Sequence, residues 1–138
     1  MMINNRRFVF DTNVLISAFL FSQSKPRQAL DKSQDIGIIL LSNSVLSELE
    51  EVLYRPKFDR YLTKERRQEF LENLTENAQF IDVSGQIYEC RNPKDNKYLE
   101  LALSGQAECI VTGDDDLLVL NPWRGIEILN VQEFLASK

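Results

Sequence analysis

Five acidic residues in this sequence stand just past a segment with the pattern of a buried strand, or in the early turns of the helix that follows one. They are Asp11, Glu48, Asp95, Asp114 and Asp116. Unpaired carboxylates that lie within a few ångströms of one another repel, and each raises the pKa of the others unless a cation neutralises them. A divalent ion that prefers oxygen ligands, Mg²⁺ or Mn²⁺, provides that neutralisation and activates water for attack on a phosphodiester. The residue types and their spacing therefore predict a metal-assisted hydrolytic site, provided that the fold brings these segments together.

Each of these carboxylates, taken alone, has an ordinary structural explanation. Asp11 can cap a helix that starts at Thr12, and Asp95 can face the free backbone N–H groups in the first turn of its own helix. Glu48 borders the apolar arc of its predicted helix, so it is placed to face inward. The run 114–116 holds three adjacent carboxylates, which is more than a helix cap requires. The prediction of a site depends on the conjunction of four acids, from four separate segments, at one rim of a sheet.

The sequence contains no histidine, which limits the chemistry further. This absence excludes histidine-based zinc sites, Ser-His-Asp and Cys-His nucleophile arrangements, and a histidine general base. The two cysteines, Cys90 and Cys109, are too few and too far apart for a zinc ribbon or a redox pair, and we expect both to be reduced thiols packed as small apolar groups. Any catalysis must therefore depend on carboxylates, with a hard metal ion supplying the nucleophile.

An alternation of strand and helix patterns positions these acids. Strands are predicted at 7–10, 36–41, 79–83, 109–111 and 126–129. Helices are predicted at 14–21, from Ser24 onward, from Ser42 to Arg55, from Thr63 onward, from Asn92 to Gly105, and after Asn130, where Glu133 completes a capping box. Such an alternation gives right-handed crossovers and a sheet covered on both faces. The predicted fold class is therefore a three-layer α/β/α fold with a central, mostly parallel sheet of about five strands, which binds ligands beyond the carboxyl ends of its strands.

Length and composition set the remaining bounds. A chain of 138 residues, with 43% apolar and 27% charged residues and no low-complexity segment, predicts a single domain over residues 1–138. The longest apolar run is too short to cross a membrane, and Asp11 interrupts what would be the apolar part of a signal peptide, so we expect a cytoplasmic protein. The net charge of −5 argues against indiscriminate nucleic-acid binding. It leaves room for a local basic track, because six of the sixteen basic residues lie between Arg55 and Arg67.

Four segments of the sequence resemble the PIN-domain family of nucleases. They are FVFDTNVLISA, LSNSVLSELEEVLYRPKF, RNPKDNKYLELA and ECIVTGDDDLL, which stand in the family's order and span nearly the whole chain. The resemblance implies a doubly wound parallel sheet and a ribonuclease that depends on Mg²⁺ or Mn²⁺. It also implies that four acids are catalytic and bind the metal ion, and that a fifth, accessory acid is a further metal ligand. The four acids are Asp11, Glu48, Asp95 and Asp114, and the accessory acid is Asp116.

The same resemblance assigns supporting residues and shows one departure from the family. Thr12 and Asn13 match family residues that orient the first carboxylate and the shell of its metal ion. Asn92 stands where relatives often carry another acid ahead of the proline. Because Asp95 is intact, the departure concerns only a peripheral charge.

The branch of the family that the sequence resembles most comprises the toxin components of toxin–antitoxin pairs. This resemblance implies an RNA substrate, a cognate antitoxin protein and a homodimer. Basic residues beside the rim are predicted to follow the RNA backbone through phosphate contacts, which give salt-sensitive affinity without reading the base sequence. They are Arg55, Lys57, Arg66, Arg67 and Lys97.

Two other functions are compatible with the sequence. A phosphatase of the haloacid-dehalogenase type also begins with a strand and an aspartate and ends with an acidic metal loop. Those enzymes generally need a second aspartate two residues after the nucleophile, and here that position is Asn13. The other alternative is a catalytically silent domain that binds RNA or a protein partner, although such a domain has no need to hold repelling charges together.

Overall fold

The central sheet has all of its strands parallel, and its order places the first strand in the middle. The computed structural model describes residues 6–138, and within them the sheet contains five strands in the order β3-β2-β1-β4-β5. The strands are β1 (Arg7–Phe10), β2 (Ile38–Leu41), β3 (Ala78–Phe80), β4 (Cys109–Val111) and β5 (Glu127–Leu129). Because β1 lies between β2 and β4, residues that follow these three strands meet at one edge of the sheet.

The register between β1 and β4 determines which residues lie beside Asp11. Phe10 is opposite Val111, and the ladder continues for one more residue, since the Asp11 N–H donates to the Val111 carbonyl at 3.0 Å. Asp11 and Thr112 therefore leave the sheet side by side. On the other flank, Phe8 is opposite Ile39 of β2.

Helices cover both faces of the sheet, which gives the three-layer α/β/α arrangement that the sequence predicts. Within residues 6–138 they are α1 (Thr12–Leu20), α2 (Lys25–Ile36), α3 (Asn43–Leu53), α4 (Lys64–Glu76), α5 (Asn96–Gly105), α6 (Asp115–Leu118) and α7 (Val131–Ala136), with short 3-10 turns at Pro56–Phe58 and Pro93–Asp95. The predicted caps are in place: the side chains of Ser24, Ser42 and Thr63 each accept a backbone N–H in the first turn of α2, α3 and α4. The predicted capping box of Asn130 and Glu133 at the start of α7 is confirmed.

Aromatic and aliphatic packing holds the helices against β1. Phe134 of α7 contacts Phe8 and Phe10 edge to face, with ring centroids 5.3 Å and 5.9 Å away. Helix α5 packs on β1, β2 and β4. Its last residue, Gly105, lies so close to β2 that an added Cβ would come within 2.5 Å of the Leu40 side chain. Glycine at this point therefore lets α5, whose N-terminal end carries Asp95, approach the sheet closely.

The boundaries of several elements differ from the prediction. Ile36 ends α2, so β2 begins at Ile38 and not at residue 36. An apolar residue suits a buried helix end and a buried strand equally, and periodicity cannot separate the two. The third strand covers 78–80 instead of 79–83, the fifth begins at Glu127, and the predicted helix from Asn92 is a 3-10 turn followed by α5.

Three further predictions concern the chain as a whole. Cys90 and Cys109 are buried free thiols, as expected. None of the helices described in residues 6–138 has the length and apolar character needed to cross a membrane. The prediction of one domain over residues 1–138 includes residues 1–5, which lie outside the described part of the chain.

Candidate metal centre

Asp11 is held at the carboxyl end of β1 by hydrogen bonds to both of its carboxylate oxygens. Its Oδ1 accepts the Val14 N–H at 2.8 Å and so caps α1. Its Oδ2 accepts a hydrogen bond from the Thr112 hydroxyl at the end of β4. Burial raises the pKa of Asp11, these donors lower it in part, and the nearby charge of Asp114 raises it further. The residue is thus both a helix cap and a carboxylate buried among other acids.

Asp114 is placed by the same threonine. Its backbone N–H donates to Thr112 Oγ1 at 3.0 Å, and its own Oδ1 accepts the Asp116 N–H at 2.9 Å, which caps α6. The first turn of α6 thereby folds back toward β4. Asp114 and Asp116 consequently lie on one short turn, with their carboxylates at the rim of the sheet.

Asp95 completes a cluster of three carboxylates. It lies at the end of the 3-10 turn before α5, with only 8% of its surface exposed. Oxygen atoms from Asp95, Asp114 and Asp116 lie within 4.8 Å of one another. The Asp95 Oδ2 atom is buried and has no hydrogen-bond partner among residues 6–138. Burying a carboxylate oxygen without a hydrogen-bond donor lowers the stability of the folded state, and a bound cation would offset this loss.

The electrostatics of Asp95 agree with this geometry. The pKa of Asp95 is raised to about 7, mainly by burial and further by the adjacent carboxyl of Asp114 and the charge of Asp11, whereas Lys97 opposes the increase. Arg91 pairs with Asp116 at 3.0 Å, but the buried Oδ2 atom of Asp95 has no such partner among the described residues. A proton or a metal ion is needed to hold these carboxylates together near neutral pH.

Glu48 approaches the cluster from α3, and its environment is different. Its Oε1 accepts hydrogen bonds from the Thr12 hydroxyl at 2.7 Å and from the Tyr98 hydroxyl, and its Oε2 lies 3.0 Å from Lys97 Nζ. Burial alone would raise the pKa of Glu48, but these three donors outweigh it and the pKa is lowered. Glu48 is therefore an ionised carboxylate in a fixed orientation.

One cleft of about 210 Å³ contains side chains from all four segments. Its lining consists of Asp11, Thr12, Asn13, Glu48, Val52, Arg55, Lys94, Asp95, Tyr98 and Asp114. The atoms that could ligate a metal here are carboxylate and hydroxyl oxygens, and one of them, Asp95 Oδ2, has no hydrogen-bond partner among the described residues. Oxygen ligands of this kind fit a hard divalent ion such as Mg²⁺ or Mn²⁺. The structure thus brings Asp11, Glu48, Asp95 and Asp114 together, with Asp116 beside Asp114.

A family model described as "PIN domain" matches residues 7–116, which include every acid of the cleft. The chain belongs to the PIN-domain family. The resemblance seen in the sequence is thereby confirmed. No curated protein sequence matches this PIN domain.

Two solved structures share the fold. A chain in the crystal structure of VapBC2 from Rickettsia felis, bound to a DNA fragment from their promoter, is 18% identical with a TM-score of 0.62. That similarity covers 90% of this PIN domain and 98% of the other chain. PAE2754 from Pyrobaculum aerophilum is 15% identical with a TM-score of 0.61, over 96% of this chain and 91% of the other. At such identities the likeness supports the fold.

The basic residues singled out in the sequence lie in different environments. Arg55, which lies just beyond the end of α3, lines the acidic cleft of this PIN domain and is paired with Glu51 of α3. Lys97 also lies beside the acids, but its ammonium group is engaged by Glu48. Lys57 lies over the Phe58 ring, and Arg66 lines a separate cavity near α2.

Arg67 does not fit the predicted basic track. Only 4% of the residue is exposed, and its guanidinium pairs with Asp59 at 3.0 Å and lies over the Tyr54 ring at 5.5 Å. A buried guanidinium is not accessible to a phosphate, and this position argues against the predicted contact of Arg67 with RNA. The spacing of Arg67, Phe70 and Leu74 places all three on one helix face, and this pattern in the sequence indicates that Arg67 is buried.

Sequence reasoning did not identify three residues of the cleft region: Thr112, Tyr98 and Lys94. Thr112 is fully buried, and its hydroxyl joins two of the acids. Tyr98 follows Asp95 by one helical turn, in a segment rich in leucine and alanine. A tyrosine on an apolar helix face indicates a buried hydroxyl that needs a partner. Lys94 directly precedes Asp95 in the sequence and lines the cleft itself.

Proposed function

We propose that this PIN domain is a metal-dependent ribonuclease that hydrolyses RNA phosphodiester bonds. The observation that carries the proposal is the meeting of Asp11, Glu48, Asp95 and Asp114 in one cleft, where a buried oxygen of Asp95 lacks a partner among the described residues. An acidic cleft without histidine suits hydrolysis that is assisted by a divalent ion, and it does not suit a serine or cysteine nucleophile that a histidine activates. Membership of the PIN-domain family supports nuclease chemistry.

Asp11, Asp95 and Asp114 are the residues that would hold Mg²⁺ or Mn²⁺, with Asp116 beside them and Glu48 acting directly or through water. Such an ion, when bound, lowers the pKa of water and neutralises charge that develops on the phosphate. Thr112 and the start of α1 keep the Asp11 carboxylate in one orientation. Thr12 and Tyr98 do the same for Glu48, which stays ionised, and Asn13 stands at the mouth of the cleft.

The substrate must approach an acidic centre, so positive charge at the rim matters. Arg55 and Lys94 line the same cleft as the acids, and both can contact phosphates on either side of the bond that is cut. Lys57, Arg66 and Lys97 remain candidates for weaker contacts with the RNA backbone. The site is repulsive toward a polyanion until a cation is bound, so a chelator should abolish cleavage.

A cleavage assay with defined RNAs tests this function. Purified parent protein should cut RNA with Mg²⁺ or Mn²⁺ and stop cutting when a chelator is added. Asp11→Asn and Asp95→Asn should each lose activity by about a hundredfold or more, because each removes a charge that the ion needs. Asp35→Asn, which changes an exposed acid outside the cleft, is the matched control and should cut at the parental rate.

Other results of the same assay would reject the proposal. Equal cleavage by the parent and Asp11→Asn would mean that a contaminating nuclease is responsible. Metal binding without cleavage of RNA would point to a silent binding domain. A phosphate trapped on the Asp11 carboxylate would favour the phosphatase of the haloacid-dehalogenase type. Single-stranded DNA of the same sequence, used in parallel, determines the preference for RNA.

We further propose that the protein is the toxin of a toxin–antitoxin pair that acts in the cytoplasm, with a cognate antitoxin as partner. The support is the shared fold with a chain of the VapBC2 structure, together with the family. Induced expression should arrest growth, Asp11→Asn should abolish the arrest, and co-expression of an adjacent small open reading frame should relieve it. Light scattering of the purified protein tests the proposed homodimer. Expression of the active parent without any effect on growth would reject the toxin role.

A further inference from the structure

Tyr98 is a buried tyrosine whose hydroxyl lies between two segments of the cleft. The residue is 3% exposed and belongs to α5, one turn after Asp95. Its neighbours on the helix, Leu99 and Ala102, belong to the hydrophobic core. The ring is therefore fixed by packing, and the position of its hydroxyl is set by the core.

The hydroxyl of Tyr98 lies within hydrogen-bond distance of three groups beside the acids, one of which is Thr12 Oγ1 at 2.9 Å. It accepts the backbone N–H of Thr12 at 3.1 Å, and it donates to Oε1 of Glu48. Thr12 is the first residue of α1, whose N–H has no acceptor within its own helix. One oxygen thus satisfies a helix N-terminus directly after Asp11 and holds a carboxylate of α3.

The other contacts of Glu48 show why this hydroxyl matters. Thr12 Oγ1 donates to the same Oε1 atom at 2.7 Å, while Lys97 Nζ lies 3.0 Å from Oε2. The two hydroxyls hold one oxygen of the carboxylate and the ammonium group holds the other. Without the Tyr98 hydroxyl, Thr12 alone would hold Oε1, and the balance of contacts would shift toward Lys97 on Oε2.

We propose that Tyr98 is a positioning residue, which acts by holding the Glu48 carboxylate in the orientation that the metal-dependent reaction requires. The inference rests on the ribonuclease function proposed above. Tyr98 does not take part in bond breaking, and its effect passes through Glu48. Groups that orient metal-site carboxylates typically change affinity or activity by about ten- to a hundredfold when they are removed.

Tyr98→Phe removes the hydroxyl and keeps the ring that packs in the core. In the cleavage assay we expect kcat to fall by about tenfold, with KM within about twofold of the parent, because the change affects orientation and not substrate contact. Calorimetric titration with Mn²⁺ should show about tenfold weaker binding. Tyr61→Phe is the matched control, since Tyr61 is 64% exposed, and it should leave both quantities unchanged.

A double variant separates positioning from a general structural effect. Once Glu48 is replaced in Glu48→Ala, the Tyr98 hydroxyl has no carboxylate to hold. Tyr98→Phe combined with Glu48→Ala should therefore match Glu48→Ala alone in kcat and in Mn²⁺ affinity. A further tenfold loss in the double variant would show that the hydroxyl acts elsewhere and would overturn the inference. Thr12→Val removes the second hydroxyl on the same oxygen and gives the same test if Tyr98→Phe does not fold.

The two proposals fail in different ways. If the parent cuts RNA with metal and Tyr98→Phe equals it in kcat and in Mn²⁺ affinity, the role of Tyr98 is wrong and the ribonuclease function stands. If the parent does not cut RNA under any metal condition, the ribonuclease function is wrong. The positioning inference, which depends on that function, falls with it.

Discussion

Thr112 donates a hydrogen bond from its buried hydroxyl to Asp11 across the boundary between β4 and β1. The same oxygen accepts the N–H of Asp114 at 3.0 Å. One side chain therefore sets the distance between the acid at the end of the central strand and the acid at the end of its neighbour. The arrangement depends on the parallel pairing of β1 and β4, since only this register brings residues 11 and 112 side by side.

Thr112→Val should weaken the site while preserving the fold. Valine has nearly the shape of threonine, but it leaves the Asp11 carboxylate and the Asp114 N–H without their shared partner. We expect metal-dependent cleavage of RNA to fall by about tenfold or more, since supporting residues of metal sites contribute on this scale. Steady-state kinetics with Mg²⁺ measure the effect.

Thr75→Val is the control for that variant. The Thr75 hydroxyl bonds to a backbone carbonyl in α4, and Thr75 is not among the residues that line the acidic cleft. Parental activity in Thr75→Val and in Thr112→Val alike would show that the link between the two acids has no role in catalysis.

The stability of the metal-free protein should decrease as pH rises. The pKa of Asp95 is raised to about 7 from an ordinary value of 3.8, so between these values the folded state holds a proton that the unfolded state has lost. The free energy of unfolding therefore falls from about pH 4 to about pH 7 and then levels off. Thermal unfolding in the presence of a chelator, at several pH values, measures this change.

Asp95→Asn provides the comparison, because asparagine does not ionise. In chelator the variant should have a higher Tm than the parent at pH 8, and the difference should shrink as the pH falls toward 3.8, below which Asp95 is protonated in both states. The raised pKa of Asp11 leaves a residual slope in the variant. Identical pH dependence of Tm in parent and variant would contradict the electrostatic account of Asp95.

Much of this site could be predicted from local sequence, because caps and strand ends are local features. The acid after β1 and the caps at Ser42 and Asn130 depend on neighbouring residues only. The partners of the buried hydroxyls could not be predicted in this way. Tyr98 and Thr12 are 86 residues apart, and Thr112 and Asp11 are 101 apart, so both contacts depend on the strand order.

Arg55 and Arg66 should differ in their contribution to RNA binding. Both are basic and stand in one segment of the sequence, but Arg55 lines the acidic cleft, whereas Arg66 lines a cavity with Phe19 and Phe70. Arg55→Ala should reduce the slope of log Kd against log salt concentration by about the amount that one phosphate contact contributes. Arg66→Ala should reduce the slope by less than Arg55→Ala, because Arg66 lies away from the acidic cleft and its contact with the RNA backbone is weaker. The assay uses catalytically inactive Asp11→Asn protein and a fluorescent RNA, and equal slopes for both variants would reject the assignment.

Arg67 should contribute to stability and not to binding. Its buried guanidinium is paired with Asp59 and packed on Tyr54, so Arg67→Ala removes the ion pair and the packing of the long side chain. We expect a loss of about 2 kcal/mol in the free energy of unfolding, measured in urea, against less than about 0.5 kcal/mol for the neighbouring Arg66→Ala. A large loss of RNA affinity in Arg67→Ala without a loss of stability would contradict this view.

The sheet order has a consequence for the way the protein is made. β1 is synthesised early, yet one of its two neighbours, β4, ends at Val111, and Asp114 and Asp116 follow later still. A ribosome must therefore have translated past residue 116 before all the acids of the cleft exist. A chain that ends before Cys109 lacks β4 as well as Asp114 and Asp116, so we expect such a truncated product to be unable to assemble the cleft.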